Sequence, residues 1–189
     1  MNRLGWILLT LIAGIVGGFL FMVHPAKWTR PAPHDNMAEV GSATLQMPVA
    51  GVKGSALSDS YVAPRAGGTR DHRAIDIMAP LGAPVLAASA GRIEKLFDSA
   101  QGGHTVYIRT PDGKQSHYYA HLERYAEGLR EGQAVAQGDV IAFVGNTGDA
   151  DPGAPHLHFA IHEMAPNDKW YEGTPVDPYP YLAGKAPTR

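Results

Sequence analysis

The chain has 189 residues, and 16 Lys and Arg against 18 Asp and Glu give it a formal net charge of -2. Neither sign forms a long run, which excludes the basic footprint of a nucleic-acid-binding protein. Because the chain has no cysteine, thiolate zinc ligands and cysteine nucleophiles are also excluded, and any metal site must use His, Asp or Glu.

The N-terminal region carries the longest uncharged stretch, residues 4–23. At about 1.5 Å rise per residue, a helix of this length crosses a hydrocarbon layer roughly 30 Å thick. A signal peptide has a shorter apolar region that ends at a small-x-small cleavage site, and none follows residue 23. We therefore expect residues 1–23 to form an uncleaved transmembrane anchor and residues 24–44, which contain three prolines, to form an extended tether.

The remainder is rich in turn-forming residues, since the whole chain contains 22 Gly and 15 Pro. This composition is typical of short strands joined by tight turns and predicts an all-β, mainly antiparallel domain over residues 45–184, followed by a short tail at 185–189. A brief helix is predicted at residues 122–125, and Pro111-Asp112-Gly113 predicts a hairpin turn. Apolar runs predict six strands, at residues 84–88, 92–97, 105–109, 115–120, 140–144 and 156–162.

The segment His156-Leu-His-Phe-Ala-Ile-His162 alternates apolar residues with histidines or a small residue, as a half-buried strand does. His156 and His158 then share one face, with Cα atoms about 6.5–7 Å apart. This gap is too long for both to bind one zinc ion comfortably, because zinc–nitrogen bonds measure about 2.0–2.1 Å. One histidine is therefore a candidate ligand, and its neighbour is a candidate to work beside the metal.

His72 and Asp76 are four residues apart, which separates them by about 13 Å in an extended strand. They can share a metal only if the chain turns between them, and the small Ala74 permits such a bend. Two histidines and a carboxylate form a known catalytic zinc set that leaves a fourth position open for water. On its own, however, the His-x-x-x-Asp spacing is common by chance.

The remaining histidines of the domain allow blander interpretations. His121 lies beside tyrosines at a predicted strand end, where a hydrogen-bonded surface histidine is common. For His104, His117 and His162 the two interpretations are groove-lining side chains and solvated side chains, and the solvated one is favoured. Residues 118–122 are predicted to alternate, with Tyr119 and His121 sharing one face.

Three motifs in fixed order carry a resemblance: Arg70-x-His72-x-Ala74-x-Asp76, Tyr119-Ala-His121-Leu and His156-Leu-His158-Phe. Together they resemble the lysostaphin/LytM-type zinc metallopeptidases of peptidoglycan. The similarity extends through Gly132-Gln-x-Val, Gly145-Asn-Thr-Gly148 and Pro175-Val-Asp-Pro178 and covers nearly all of residues 45–184. Each motif is weak alone, whereas the ordered set is specific.

The resemblance implies one Zn²⁺ per chain, bound by His72, Asp76 and His158, with His121 and His156 as the catalytic pair. It also implies a compact β-sandwich/barrel hybrid of two related halves, with the zinc at the floor of a narrow groove. The short echo between Gly82-Ala-Pro-Val85 and Gly132-Gln-Ala-Val135 is consistent with two such halves. The candidate groove residues are His104, Tyr119 and Asn146.

Three positions depart from the family pattern. Ala74 stands where Gly is usual, which strains the turn if a positive φ is needed there. Ala160 stands where Glu is common, and His104 stands where Asn is frequent. Because these departures leave all five candidate ligand and catalytic positions intact, they imply altered groove contacts rather than lost activity.

The resemblance implies a zinc-dependent endopeptidase that cleaves peptidoglycan stem peptides or cross-links. With the predicted anchor, it implies a single-pass membrane protein whose catalytic domain faces the periplasmic or extracytoplasmic side. The alternative on the same fold is a non-catalytic activator of cell-wall hydrolases, and the retained histidines argue against it. A third interpretation, a cytoplasmic sugar-phosphotransferase carrier, has no need of Asp76 or of a membrane span.

Overall fold

A computed structural model describes residues 45–184 of the chain. The predicted anchor at residues 1–23, the tether at residues 24–44 and the tail at residues 185–189 lie outside this range. Within residues 45–184, no helix is both long enough and apolar enough to cross a bilayer. The membrane anchor therefore stays a prediction.

Short strands account for most of the regular structure in the described part of the chain. The strands are β1 (Pro64–Arg65), β2 (Arg70–Asp71), β3 (Ile75–Met78), β4 (Pro84–Leu86), β5 (Gly91–Ser99), β6 (Gly103–Arg109), β7 (Gln115–Tyr125), β8 (Ala134–Val135), β9 (Val140–Val144), β10 (His156–Glu163) and β11 (Thr174–Val176). Helices are brief. They are 3-10 turns at Gly54–Ala56 and Ala66–Gly68 and the helix α1 (Tyr179–Leu182).

The strands assemble almost entirely into one sheet. Within residues 45–184, β1 pairs only with β2, and the other nine strands form a sheet whose main path runs β11-β10-β7-β6-β5-β8. Strand β3 pairs with β10, and β9 pairs with both β7 and β4. Every one of these pairings is antiparallel, so the predicted fold class, mainly antiparallel all-β, is confirmed.

The six predicted strands are all present, with shifted ends. Strand β9 matches its prediction, β4 is two residues shorter, and β5, β6, β7 and β10 are longer. The predicted hairpin turn joins β6 to β7, where the Gly113 N–H donates to the Thr110 carbonyl over 2.9 Å. Gly113 has a φ of 73°, a backbone conformation that glycine adopts without steric cost.

The helix predicted at residues 122–125 is wrong, because this segment is the end of strand β7. Leu122 pairs with Val144 and Tyr125 pairs with Ala142, across a register shift that lies between Leu122 and Arg124. Leu122 is fully buried. Local preference for helix in Leu-Glu-Arg-Tyr is weak, and pairing with β9 together with burial of Leu122 overrides it.

The two echoing segments adopt the same local turn. Gly82 and Gly132 have φ values of 79° and 78°, and each lies two positions before the first residue of a short strand, β4 or β8. In each turn the glycine N–H donates to a strand carbonyl, that of Val144 or of Ile93. The sequence echo therefore corresponds to a repeated turn geometry.

The core lies on one face of strand β10. Leu157, Phe159 and Ile161 are almost completely buried, as the alternating pattern predicts, and they pack in one apolar cluster with Ile75 and Ile77 of β3. The opposite face of β10 consequently directs His156 and His158 away from this cluster. That face carries the candidate site.

Candidate metal centre and active site

Three side chains from two distant segments converge at one point: His72 and Asp76 come from one segment, and His158 comes from strand β10. His72 Nε2 lies 3.0 Å from Asp76 Oδ1 and 3.0 Å from His158 Nδ1. His158 Nδ1 lies 3.2 Å from Asp76 Oδ1. The three atoms form a nearly equilateral triangle of the kind that one metal ion can occupy.

The triangle fits a small divalent cation. Two ligand atoms at about 2.0–2.1 Å from a tetrahedral zinc ion lie about 3.3–3.4 Å apart, close to the separations of the three atoms. His72 donates its Nδ1–H to the Ser60 carbonyl over 3.0 Å, so its Nε2 presents a lone pair to the triangle. A cation satisfies both nitrogen lone pairs and the carboxylate together, whereas a single shared proton does not.

Strand pairing positions two of the three candidate ligands. His158 on β10 is directly opposite Asp76 on β3, and on its other side it is opposite Ala120 on β7. Cross-strand neighbours have Cβ atoms about 4.5–5.5 Å apart, which brings both side chains to one site. The antiparallel register of β10 therefore aligns the pair.

A tight turn between β2 and β3 brings in His72. The turn is made at Arg73, whose φ is 58°, and not at Ala74, which has no positive φ. The Arg73 N–H donates to the Tyr61 carbonyl over 2.8 Å, and the Asp76 N–H donates to the Ser60 hydroxyl over 3.2 Å. The strain expected at Ala74 is therefore absent, because the neighbouring residue adopts the left-handed conformation instead.

The electrostatics of the cluster favour ligand-competent protonation states. Burial raises the pKa of Asp76, but the adjacent side chains of His158 and His72 outweigh this effect and hold the pKa of this carboxyl well below its usual range. Burial lowers the pKa of His158 to about 4 despite the opposing effect of Asp76. At neutral pH the carboxylate is ionised and the imidazole of His158 is neutral, as metal binding requires.

The site is open to solvent. The side chains of Asp76 and His158 each keep 20% of their surface exposed, whereas that of His72 keeps 2%. Water can therefore reach Asp76 and His158, whereas the surrounding residues shield His72 from solvent.

His121 and His156 lie beside the triangle and outside it. Their ring centroids are 5.0 Å apart, and the centroid of His121 is 5.6 Å from that of His158. His156 Nε2 lies 3.7 Å from Asp76 Oδ1. His121 Nδ1–H donates to the Thr147 carbonyl over 2.8 Å, and His156 Nδ1–H donates to the Ala154 carbonyl over 2.9 Å, so both residues retain an unprotonated Nε2.

His121 reaches this position through an unusual backbone conformation. Its φ of 59° is one of only two positive values among the non-glycine residues of the described chain. Strand alternation would place His121 on the same face as Tyr119, which is fully buried and whose hydroxyl accepts the Ala88 N–H over 2.9 Å. The left-handed conformation turns the imidazole towards His156 and His158 instead, at a cost of about 1–3 kcal/mol.

Thr147 and Ser60 support the site, and the sequence interpretation did not single them out. The Thr147 hydroxyl donates to the Leu122 carbonyl over 2.7 Å and accepts the His104 N–H over 3.1 Å, which fixes the carbonyl that holds His121. The Gly145-Asn-Thr-Gly148 motif predicted a loop at this position, but it did not indicate that Thr147 contacts His121. The short Ser60 side chain follows an ordinary loop sequence and gave no signal.

The three predicted groove residues lie in different environments. Tyr119 as a groove residue is wrong, because it is buried in the core against Phe159, with a ring separation of 5.1 Å. The side chain of His104 is partly exposed and its Nδ1 pairs with Asp98. Asn146 Nδ2 donates to the Pro152 carbonyl over 3.0 Å and stabilises the loop after β9.

His117 is also placed differently from its prediction. It was interpreted as solvated, yet it is fully buried, and its Nδ1 and Nε2 lie 3.4 Å from Ser89 Oγ and Gln115 Oε1. Burial, with a smaller effect of His162, lowers the pKa of His117 to about 4. His162 remains partly exposed, with its pKa lowered by burial.

The chain is similar in sequence to a known protein family and to characterised bacterial proteins. The sequence profile of Peptidase family M23 matches residues 70–178. The chain is 36% identical over 121 residues to the L-Ala--D-Glu endopeptidase of Bacillus subtilis, covering 61% of this chain and 36% of that protein. It is 36% identical over 96 residues to the peptidoglycan DD-endopeptidase ShyC of Vibrio cholerae, covering 51% of this chain and 21% of that protein.

A solved structure with a similar fold is the catalytic domain of the antimicrobial peptidase lysostaphin from Staphylococcus simulans. It matches with a TM-score of 0.54 and 30% sequence identity, over 67% of this chain and 87% of that one. The chain thus spans nearly all of that catalytic domain, but about a third or less of the two curated relatives. The matched range, residues 70–178, includes the four histidines and the aspartate of the site.

Proposed function

The chain belongs to Peptidase family M23, and from this membership we propose that it is a zinc-dependent endopeptidase that hydrolyses peptide bonds in peptidoglycan stem peptides or cross-links. The observation that carries the proposal is the triangle of His72, Asp76 and His158, whose ligand atoms are 3.0–3.2 Å apart beside two further histidines. Both bacterial relatives are named as endopeptidases, and the one from Vibrio cholerae is named as a peptidoglycan endopeptidase.

His72 Nε2, Asp76 Oδ1 and His158 Nδ1 would hold the metal. Zinc is the metal that best suits two imidazoles and one carboxylate in a chain without cysteine. When bound, it supplies a Lewis acid that makes water acidic near neutral pH and polarises the carbonyl of the scissile bond. The Ser60 carbonyl orients His72 by accepting its Nδ1–H, a contact typical of metal-binding histidines.

His121 and His156 would move protons. Because each donates its Nδ1–H to a backbone carbonyl, each presents Nε2 as the atom that takes up a proton. Burial lowers the pKa of His121, against the raising effect of the Thr147 carbonyl, so this imidazole is neutral and basic near pH 7. One histidine would accept a proton from the attacking water, and the protonated form would donate it to the leaving amine.

Digestion of purified peptidoglycan tests the proposal. The full-length chain in detergent is incubated with peptidoglycan alone, with a chelator, and with the chelator followed by excess zinc. We expect release of fragments with new amino termini, loss of release with the chelator, and recovery with zinc. Release that persists in a metal-depleted protein would contradict zinc dependence. A metal-loaded chain that cleaves nothing yet stimulates another wall hydrolase would favour the activator alternative.

We further propose that the catalytic domain acts on the periplasmic or extracytoplasmic side of the membrane. The support is the uncharged stretch at residues 4–23 and the position of peptidoglycan outside the cytoplasm. Proteolysis of intact spheroplasts tests this location. Loss of the catalytic domain without lysis is expected, and protection until lysis would contradict it.

A further inference from the structure

A pocket of about 400 Å³ lies directly beside the candidate metal centre. One wall is the turn at residues 51–58, and the other is the end of strand β3 with Asp76 and Met78. Because Asp76 belongs to both the pocket and the ligand triangle, a peptide whose scissile bond lies at the metal has room for a neighbouring residue here.

The turn that forms the outer wall is firmly held. The Ala56 N–H donates to the Lys53 carbonyl over 2.9 Å, and the Ala50 N–H donates to the Pro84 carbonyl over 3.0 Å. A Cβ on Gly54 would lie 2.5 Å from the Leu182 carbonyl oxygen, so the turn packs directly against helix α1. Lys53 therefore extends from a fixed backbone rather than from a free loop end.

The lining of the pocket has a definite chemistry. Met78 is on the same face of β3 as Asp76, and 58% of its surface is exposed, so together with Ala56 it offers an apolar floor. Among the described residues that line the pocket, Lys53 is the only cation. It is exposed, and no ion pair joins it to another described residue. The negative charge of Asp76 is already engaged by His72 and His158.

We propose that Lys53 is a specificity-determining residue that binds a carboxylate of the peptide substrate beside the scissile bond. This inference rests on the proposed endopeptidase function. The aliphatic part of the same substrate residue packs on Met78 and Ala56, while the ammonium of Lys53 pairs with the carboxylate at the rim. An apolar floor with one cationic rim group selects a short carboxylate-bearing residue over an amidated one.

The test uses synthetic cross-linked stem peptides in three forms: unmodified, amidated at the terminal α-carboxylates, or amidated at the side-chain carboxylates. For the wild-type chain, we expect kcat/KM to fall about tenfold in one amidated form, mainly through KM. The form that loses activity identifies which carboxylate Lys53 binds. Equal cleavage of all three forms by the wild type would overturn the proposal.

Substitutions of Lys53 test whether this residue causes the discrimination between the peptides. K53Q should cleave the unmodified peptide about as slowly as the wild type cleaves the sensitive amidated form, and amidation should no longer matter to it. K53R, which keeps the charge, should restore discrimination, and K114Q, in the exposed hairpin turn between β6 and β7, should behave like the wild type. A K53Q chain that discriminates as the wild type does would overturn the inference alone. A wild-type chain that cleaves none of the peptides would overturn the proposed function and this inference with it.

Discussion

His121 has a left-handed backbone conformation within strand β7, and its imidazole lies beside those of His156 and His158. Its φ of 59° departs from the strand conformation on either side, and its Nδ1–H is held by the Thr147 carbonyl. Such strain is concentrated at functional sites, where the surrounding structure offsets its cost. The residue lies outside the ligand triangle, so its role can be separated from metal binding.

Replacing His121 with Ala should spare the metal and slow the reaction. General acid–base groups contribute on the order of a hundredfold or more to turnover, so we expect kcat to fall by about that factor. Zinc content should stay at the wild-type level, because His121 supplies none of the three ligand atoms. The measurement is steady-state cleavage with metal analysis of the same samples. Unchanged turnover would remove the proposed role of His121.

His117 makes a separate prediction about stability and pH. Burial lowers its pKa to about 4 in the folded chain, whereas an unfolded chain has an ordinary histidine pKa of about 6.5. Between these values the unfolded chain binds a proton that the folded chain does not. The free energy of unfolding therefore falls as pH decreases from about 6.5 to 4, by up to about 3 kcal/mol from this residue, and does not change from this cause above pH 6.5.

Denaturant unfolding of the wild type and of His117→Gln, both with a chelator present, measures this effect. Gln is neutral throughout, so the variant should lose less stability between pH 6.5 and 4, even if it is less stable at pH 7. Other titrating groups are common to both proteins and cancel in the difference. Identical pH dependence in the two proteins would show that His117 has the same pKa in the folded and the unfolded chain, and would contradict this prediction.

At the scale of elements, the loop after β9 packs closely against a neighbouring backbone segment and also contacts the candidate active site. Gly148 has a φ of 77°, and a Cβ on it would lie 2.1 Å from the Gln101 carbonyl oxygen. The preceding residue, Thr147, supplies the carbonyl that orients His121. The close approach of two backbone segments therefore determines where a candidate catalytic side chain points.

Gly148→Ala should therefore reduce activity through His121. Displacement of the Thr147 carbonyl should lower kcat by on the order of tenfold to a hundredfold, because small misplacements of reacting groups are costly. Gly132→Ala is the matched control: its φ is 78°, but nothing lies within 4 Å of the added Cβ. It should lose roughly 1–2 kcal/mol of stability from the backbone conformation while retaining turnover. Equal losses of kcat in both variants would contradict the role of this loop.

Strand β10 and the end of strand β7 differ in how well the sequence predicts them. Strong alternation in β10 predicted both its strand and its core face, since Leu157, Phe159 and Ile161 are buried. Residues 122–125 lack such alternation, and only pairing with the distant β9 makes them a strand. Tyr119 and His121 were placed on one face because alternation was assumed to continue, whereas the positive φ of His121 interrupts it. A left-handed backbone conformation at a non-glycine residue cannot be predicted from the alternation of the sequence.

For the whole molecule, the candidate site depends on contacts between distant segments. His72 and His158 are separated by 86 residues, yet their ring nitrogens lie 3.0 Å apart. Spacing alone could not predict this convergence, because strand register and the turn at Arg73 create it. The ordered motifs predicted the ligand set only through resemblance to a family. The supporting contacts of Ser60 and Thr147 required the folded structure.

The central claim is that His72, Asp76 and His158 hold one zinc ion per chain, and its most direct test is the metal content of purified full-length protein. Mass spectrometry of the wild type, His158→Ala and His121→Ala should give one equivalent of zinc in the wild type and in His121→Ala. In His158→Ala, which loses one of three ligands, bound zinc should be almost absent. A full equivalent of zinc in His158→Ala, or none in a wild type exposed to zinc, would contradict the account.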